Sequence, residues 1–371
     1  MFRGSNRLRG FVRNMDFCLM ALVLAAAVFG IVVIFGAGGE SAVKFVIVQS
    51  GAVVLGVAGI CAMMVCDYEY LSRISLYLSG ICLLLLVLVL IPGIGRVENG
   101  ARSWFTVGPL SLQPAEIAKV VFIIAFAKLL SDNDGMINRI DVLLRALGFA
   151  VVPIALILFQ PDFGTAAVFI FICVAMLFVA GIGVKYIIGG FAALAAICPI
   201  AWFFLLQDYQ KNRIINLFTP ENDPSGAGYH VLQSKLAVGS GRIFGSGLYK
   251  GPSQLNNLLP ERHTDFIYSA ICEELGLIGG VLVIVLMSAI IIRCIYIGMN
   301  ARNSLGTYMC TGVAAMLIFQ TFENIGMCIG IFPITGITLP FFSYGGSSML
   351  TTLLAIGLVI SVKYRSRMIN F

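Results

Sequence analysis

Apolar residues run along this chain in ten long stretches separated by polar breaks, near residues 15–36, 42–66, 74–93, 114–131, 142–160, 162–183, 186–206, 266–297, 306–332 and 345–362. Such stretches suit helices crossing a hydrocarbon core of about 30 Å. The pattern therefore predicts an all-α polytopic membrane protein of about ten transmembrane helices, built as one domain over residues 1–371. A large extracellular loop, 207–265, is expected between the seventh and eighth helices. The first run is longer than a signal-peptide core and no processing site precedes the second, so it is read as retained.

Lysine and arginine in short loops set orientation. With ten alternating spans, Arg3, Arg7, Arg9, Arg13, Arg73, Lys128, Arg139, Arg145, Lys185, Arg293, Arg302, Lys363, Arg365 and Arg367 fall on one side, against Lys44, Arg96 and Arg102 on the other. Both termini are therefore predicted cytoplasmic. The 94–112 loop, the long loop and the Pro/Gly-rich segment 330–348 then face outward.

Composition excludes a soluble globule: of 371 residues 59% are hydrophobic and only 11% charged, where soluble proteins carry about 25%. The positive-inside bias accounts for most of the net charge of +6. No basic tract with interleaved aromatics is present, so a nucleic-acid partner is not expected. The ten cysteines lie in or beside the apolar runs, none in the large loop, and read as small buried residues rather than a disulfide or zinc framework. With only His230 and His263 and no His-Glu-x-x-His motif, no metal ligand set is predicted. A Gly-x-Ser-x-Gly elbow for a serine hydrolase is also lacking.

Ionisable side chains at membrane depth cost about 2.5–3.5 kcal/mol each and mark candidate sites. Six qualify: Glu116, Lys119, Asp162, Glu273, Glu274 and Glu323. Glu116 and Lys119 are three apart and share a helix face, either as a self-neutralising packing pair or as part of a site. Gln113-Pro114-Ala115-Glu116 and Gln160-Pro161-Asp162 open two helices, proline suiting the first turn. Helix N-termini gathered near one cavity could hold a phosphate; Glu116 and Asp162 could equally complement the helix dipoles. In 330–348, Pro333, Pro340 and several glycines break the helix while Ser343, Ser347 and Ser348 offer hydroxyls. Broken backbone at this depth is buried in protein or lines a cavity, the alternative being an ordinary turn.

The long loop carries Lys211, Arg213, Lys235, Arg242, Lys250 and Arg262. Its Gly239-Ser240-Gly241 and Gly245-Ser246-Gly247 turns offer amides that could approach an anion, without the ending of a Walker motif. Tyr229 to Val238 is expected to form a short amphipathic helix on the membrane. Asp265 sits where the loop becomes membrane helix, beside Arg262 and His263. Partial desolvation there would raise its proton affinity toward that of a general base; helix N-capping by Thr264 or Asp265 is the alternative.

Several motifs together resemble the SEDS family (shape, elongation, division and sporulation). They are Asn99 to Trp104, Gln113-Pro114-Ala115-Glu116 with Lys119, Gln160 to Thr165, Asp208-Tyr209-Gln210, Gly226 to His230, Gln233-Ser234-Lys235, Pro260 to Phe266, Glu273-Glu274-Leu275-Gly276, and Ser343 to Ser348. The resemblance runs over nearly the whole chain. Arg262 before His263-Thr264-Asp265-Phe266 makes it closer to the RodA branch than to FtsW. It implies a peptidoglycan glycosyltransferase of the bacterial cell (inner) membrane that polymerises lipid II, the undecaprenyl-pyrophosphate-linked disaccharide peptide, during cell-wall elongation and rod-shape maintenance. Implied partners are a class B penicillin-binding protein transpeptidase and other elongation-complex membrane proteins.

Carried over, Asp265 is the expected catalytic base. Arg102, Trp104, Gln113, Glu116, Lys119, Asp162, Lys235, Arg262, His263, Ser343, Ser347 and Ser348 are candidate substrate-binding residues, with Arg102, Lys119 and Arg262 suited to steady a developing pyrophosphate charge. No cofactor is expected to be required, and participation of a divalent cation stays open. Ala115 stands where the family commonly has serine, and Ser103 precedes Trp104 where many members have arginine, which weakens a catalytic role for Arg102. A lipid II flippase is the alternative reading, since buried charges and broken helices also serve alternating access; a non-catalytic membrane scaffold is a third.

Overall fold

The structure, a computed structural model, describes residues 16–98, 101–107, 110–205, 208–220, 223, 226–251 and 258–367. Asn99, Gly100 and the arginines Arg3, Arg7, Arg9 and Arg13 lie outside them. Seven helices precede the long loop: α1 (Phe17–Ala37), α2 (Ala42–Val65), α3 (Tyr68–Leu88), α4 (Pro114–Asp132), α5 (Ile140–Phe159), α6 (Phe163–Val179) and α7 (Val184–Ile200). Within the loop lie α8 (Asp208–Phe218) and α9 (Ala227–Ser240), and after it α10 (Ile267–Met299), α11 (Ser304–Cys328) and α12 (Gly346–Arg367). Ends shift from the apolar runs where polar groups set them. α3 starts at Tyr68 because the Asp67 carboxylate caps the Glu69 N–H at 2.9 Å; α11 stops at Cys328, just before Gly330 at φ +73°.

Among the described residues seven helices are long and apolar enough to cross a membrane: α1, α2 with the turn before it, α3, α5, α10, α11 and α12. The chain is thus a multi-pass membrane protein. Of the other apolar runs, α4 carries Glu116, Lys119 and Lys128, while α6 and α7 have 17 residues each. The centre of the bundle is α11 and α12, whose apolar windows are 67% and 72% buried against 22% for α2 and α3, leaving the latter pair's outer faces for lipid. Glycine lets α2 approach α12 closely: a Cβ at Gly56 or Gly59 would run into Leu353 or Leu354.

The all-α expectation needs one correction. Residues 94–112 hold an antiparallel sheet of β1 (Arg96–Glu98), β2 (Ala101–Val107) and β3 (Leu110–Leu112), in that order, with an irregularity between Arg96 and Val97. Strands of three residues are too short to show an alternating pattern.

Within α10, Gly276 takes φ 67° and ψ −161° and breaks the ladder. The loop after α9 enters the gap. Ser246 and Gly247 N–H donate to the Glu273 and Glu274 carbonyls, both at 3.0 Å, and the Leu277 N–H donates to the Arg242 carbonyl at 2.8 Å. Broken backbone at membrane depth is thereby re-satisfied. One expectation changes as a result. The Ser246 and Gly247 amides are consumed by the helix rather than offered to an anion. The α9 helix is amphipathic, with Leu232 and Leu236 exposed and Val231, Ser234 and Ala237 buried, and Ser234 Oγ bonds to Ser269 Oγ (2.7 Å) and the Cys328 carbonyl (2.8 Å).

Candidate active site

The turn that carries Asp265 is tightly wound. Glu261 sits at φ +50°, and its carbonyl gathers the N–H groups of Thr264, Asp265 and Phe266 at 3.2, 3.1 and 3.3 Å. Thr264 Oγ1 also returns to that carbonyl and to the Glu261 carboxylate, both at 3.1 Å. The N-cap of α10 is Phe266, with no side-chain cap bond, so neither Thr264 nor Asp265 caps this helix. The half-buried Asp265 carboxylate instead borders Gly336, where an added Cβ would lie 3.6 Å from Oδ2.

Its neighbours brace the turn. The His263 ring stacks on Phe45 at 4.4 Å and 9°, and its carbonyl accepts the Tyr344 N–H at 2.9 Å. Burial pushes the His263 pKa below its ordinary 6.5, with Glu261 opposing and Arg262 adding to the shift. Burial lowers that of His230 likewise, against Asp223 and Glu261. Arg262 Nε donates to the Ala37 carbonyl at the end of α1 at 2.7 Å. Burial pulls the Arg262 pKa down while Glu274 and Glu273 oppose that shift. Among the described residues Arg262 Nη1 and Glu274 Oε2 are buried without a hydrogen-bond partner.

The floor beneath Asp265 is the non-helical segment between α11 and α12. Three contacts shape it. Ser343 Oγ accepts the Leu339 N–H at 2.8 Å, Ser347 Oγ donates to the Ser111 carbonyl of β3 at 2.7 Å, and Ser348 Oγ meets Thr338 Oγ1 at 2.8 Å. The Gln49 amide, fully buried in α2, donates to the Ser343 carbonyl at 2.9 Å and accepts the Gly345 N–H at 3.1 Å. From α11, Asn324 Nδ2 donates to the carbonyls of Asp265 and Ile337, each at 2.8 Å. Gly164 opens α6 against the same segment, a Cβ there lying 2.9 Å from Thr335 and Ile337 side chains. Lys235 of α9 lies directly over Gly330.

Beside this floor the starts of α4 and α6 bring charge together. Lys119 Nζ pairs with Glu116 Oε1 at 2.8 Å, and Thr351 Oγ1 donates to Glu116 Oε2 at 3.0 Å. Asp162 caps α6, accepting from the N–H and Oγ1 of Thr165 at 3.0 and 2.9 Å, and also accepts from Gln113 Nε2 at 3.2 Å. Lys119 acts electrostatically on both Asp162 and Glu323. A buried lysine is thus paired with one carboxylate and within electrostatic reach of two more. On β2 the alternation of a strand puts half-buried Arg102 and Trp104 on one face and buried Ser103 on the other, and Arg102 Nη1 donates to the Leu90 carbonyl at 3.3 Å.

The structure therefore gathers Asp265, Ser347, Ser348, Gln113, Asp162, Glu116 and Lys119 around one segment. Ser343 and Arg262 are engaged in holding that segment and its facing turn. Sequence reasoning missed Gln49, Asn324, Gly336 and Thr351. Uncharged amides inside apolar runs are the one signal that could have found two of them. No group of three or more His, Cys, Asp or Glu among the described residues is placed to hold a metal ion.

Comparison with known proteins identifies the family. The FtsW/RodA/SpoVE family pattern, described as cell cycle protein, matches residues 16–368. Stage V sporulation protein E of Bacillus subtilis is 40% identical over 314 residues, covering 84% of this chain and 85% of that protein. Peptidoglycan glycosyltransferase MrdB of Escherichia coli K12 is 35% identical over 364 residues, covering 96% and 95%. The crystal structure of the Thermus thermophilus rod shape determining protein RodA superposes with a TM-score of 0.71 at 32% identity, over 95% of this chain and 98% of that one. A chain of a peptidoglycan synthase complex that coordinates polymerization and crosslinking superposes at 0.83 and 32%, over 95% and 99%. The chain belongs to the FtsW/RodA/SpoVE family.

Proposed function

We propose that this protein is a peptidoglycan glycosyltransferase that polymerises lipid II, with Asp265 as general base. Its relatives include a protein named for that transferase activity. The observation that carries the residue assignment is the placement of Asp265: a half-buried carboxylate at the mouth of α10, not used as that helix's cap, bordering the broken segment at Gly336. In the proposed step the acceptor sugar hydroxyl gives its proton to the Asp265 carboxylate. Its oxygen bonds to the anomeric carbon of the donor, and the bond from that carbon to undecaprenyl pyrophosphate breaks, the electron pair leaving with the pyrophosphate. Attack from the opposite face inverts the centre, turning an α-linked donor into a β-linked glycan. With pyrophosphate leaving, one base suffices and the second carboxylate of a glycosidase is not needed.

The remaining candidates take supporting roles. Lys119, with Glu116, Asp162 and Gln113 around it, suits the pyrophosphate, whose developing charge a preorganised cation stabilises. Arg102 and Trp104 on the sheet, Lys235, His263, Ser347 and Ser348 suit the sugars and peptide, while Arg262 and Ser343 shape the site from behind. The reading includes ten spans with both termini cytoplasmic in the bacterial inner membrane, 207–265 outside as part of a single domain, and service in cell elongation. A class B penicillin-binding protein is the proposed partner, on the strength of the synthase complex whose chain this one resembles. No organic cofactor is invoked; excess EDTA tests whether a divalent cation takes part.

The test is polymerisation of purified lipid II by wild type and Asp265→Asn, each with and without its co-expressed transpeptidase partner. Glycan only from protein retaining Asp265 is expected. No glycan from either, with lipid II crossing liposomes that contain the wild type, would replace the enzyme by a flippase.

A further inference from the structure

Asn324 lies on α11 with 0% exposure, next to Glu323 and one turn after Gln320. Its Nδ2 uses both hydrogens, one to the Asp265 carbonyl and one to the Ile337 carbonyl, each at 2.8 Å. Neither acceptor has a place in a helix. The first ladder bond of α10 runs from the Ala270 N–H to the Phe266 carbonyl, one residue too late for Asp265, and Ile337 sits in the non-helical stretch before α12. One helical turn on, Cys328 Sγ reaches the same Asp265 carbonyl at 3.7 Å. Gly336, next to the clamped Ile337 in the chain, borders the carboxylate: a Cβ there would be 3.6 Å from Asp265 Oδ2.

We propose that Asn324 is a positioning residue that sets where the Asp265 carboxylate stands above the broken segment, one amide holding the base's turn and the floor of the site in register. A single-donor side chain can hold one carbonyl and releases the other. This inference rests on Asp265 acting as the base. It adds that the base works only while the two carbonyls are pinned to the same atom.

Lipid II polymerisation is compared among wild type, Asn324→Asp, Asn324→Ser and Asp265→Asn, all normalised to folded protein, together with lipid II binding. The expected result for both Asn324 variants is a kcat lower by about 10²-fold, the scale of an ångström misplacement of a catalytic group. KM and lipid II binding stay within about twofold, and the acid limb of the pH–rate profile moves. A merely structural amide would instead lower the melting temperature and leave kcat per folded molecule and the profile at wild-type values, overturning the proposal. If neither Asn324 variant folds, the same readings are taken on Cys328→Ala, a small substitution that removes the thiol's contacts to the Asp265 carbonyl and to Asn324 Oδ1. A reduced kcat with a moved profile is expected, and unchanged values overturn the proposal. Wild-type polymerisation by Asp265→Asn would remove the base assignment itself. An inactive Asp265→Asn beside a fully active Asn324→Asp removes the positioning role alone.

Discussion

The break in α10 is a demanding feature of the fold, and Gly276→Ala tests it. At φ 67° and ψ −161° the residue occupies a region that only glycine enters freely, and an L side chain there costs about 1–3 kcal/mol. The new methyl would also run into the Ile243 carbonyl and lie 2.5 Å from the Gly245 nitrogen, which are backbone atoms with no rotamer to yield. Relief requires withdrawing the inserted loop. That loop supplies bonds to Glu273, Glu274 and Leu277 of 3.0, 3.0 and 2.8 Å, and one buried group left unpaired costs about 1–3 kcal/mol. The sum, about 2–6 kcal/mol, is a large share of a typical folding free energy of about 5–15 kcal/mol. Melting of the purified protein in detergent should fall by several degrees, and polymerisation should fall with it because the first turns of α10 support Asp265. Gly245, at φ +78° and packed on the Glu274 carbonyl from the other side, shares the contact. Gly245→Ala combined with Gly276→Ala should therefore cost less than the two singles added. Unchanged melting of Gly276→Ala would refute the account of the break as a tight backbone insertion.

Two further outcomes are expected. Lys119→Met leaves buried Glu116 without its 2.8 Å partner and should destabilise by about 3–5 kcal/mol, whereas Glu116→Met with Lys119→Met should recover most of that; polymerisation stays lost in the double variant if the pair serves the substrate, and returns if it serves packing alone. The folded pKa of His263 lies below its ordinary 6.5, so the unfolded chain binds more protons between those two values and stability falls as pH drops from 6.5 to the folded value, with no dependence above 6.5 from this group. Wild type should lose melting temperature between about pH 7.5 and about pH 5.5, and His263→Phe, which keeps the stack on Phe45, should lose less; equal losses in the two would show that His263 does not sense this window.

The multi-pass helical character and the broken segment 330–348 were legible because they are written in long apolar runs and in the positions of proline and glycine. The turn at Asp265 was legible for a similar reason, since charges crowd against the start of a span. Asp162 illustrates the limit: Gln160-Pro161-Asp162 announces a helix start, and the cap to Thr165 is there, but only the fold reveals that Gln113 from α4 meets the same carboxylate. The sheet at 96–112 escaped because its outer strands have three residues each. The glycine turns of the long loop were misread because Gly-Ser-Gly spacing looks the same whether its amides serve an anion or a broken helix in the same chain.

Two of the residues left unread, Gln49 and Asn324, have one physical property in common. A site built on broken backbone inside a membrane frees carbonyl and amide groups that water cannot reach, and each must be paired within the protein. A charged side chain could do so only at a high desolvation cost, while an uncharged amide offers donors and an acceptor at lower cost. Among the described residues, three buried amides are used in this way. Gln49 holds the Ser343 carbonyl and the Gly345 N–H, Gln160 holds the Leu86 carbonyl at the end of α3, and Asn324 holds Asp265 and Ile337. None of the three is acidic or basic, so none stands out by charge, and Gln49 and Asn324 look like stray polar residues in apolar runs. Their job follows from where the helices stop. Under the proposed clamp, the position of Asp265 depends on a neutral residue recognisable only once the breaks in the helices are seen.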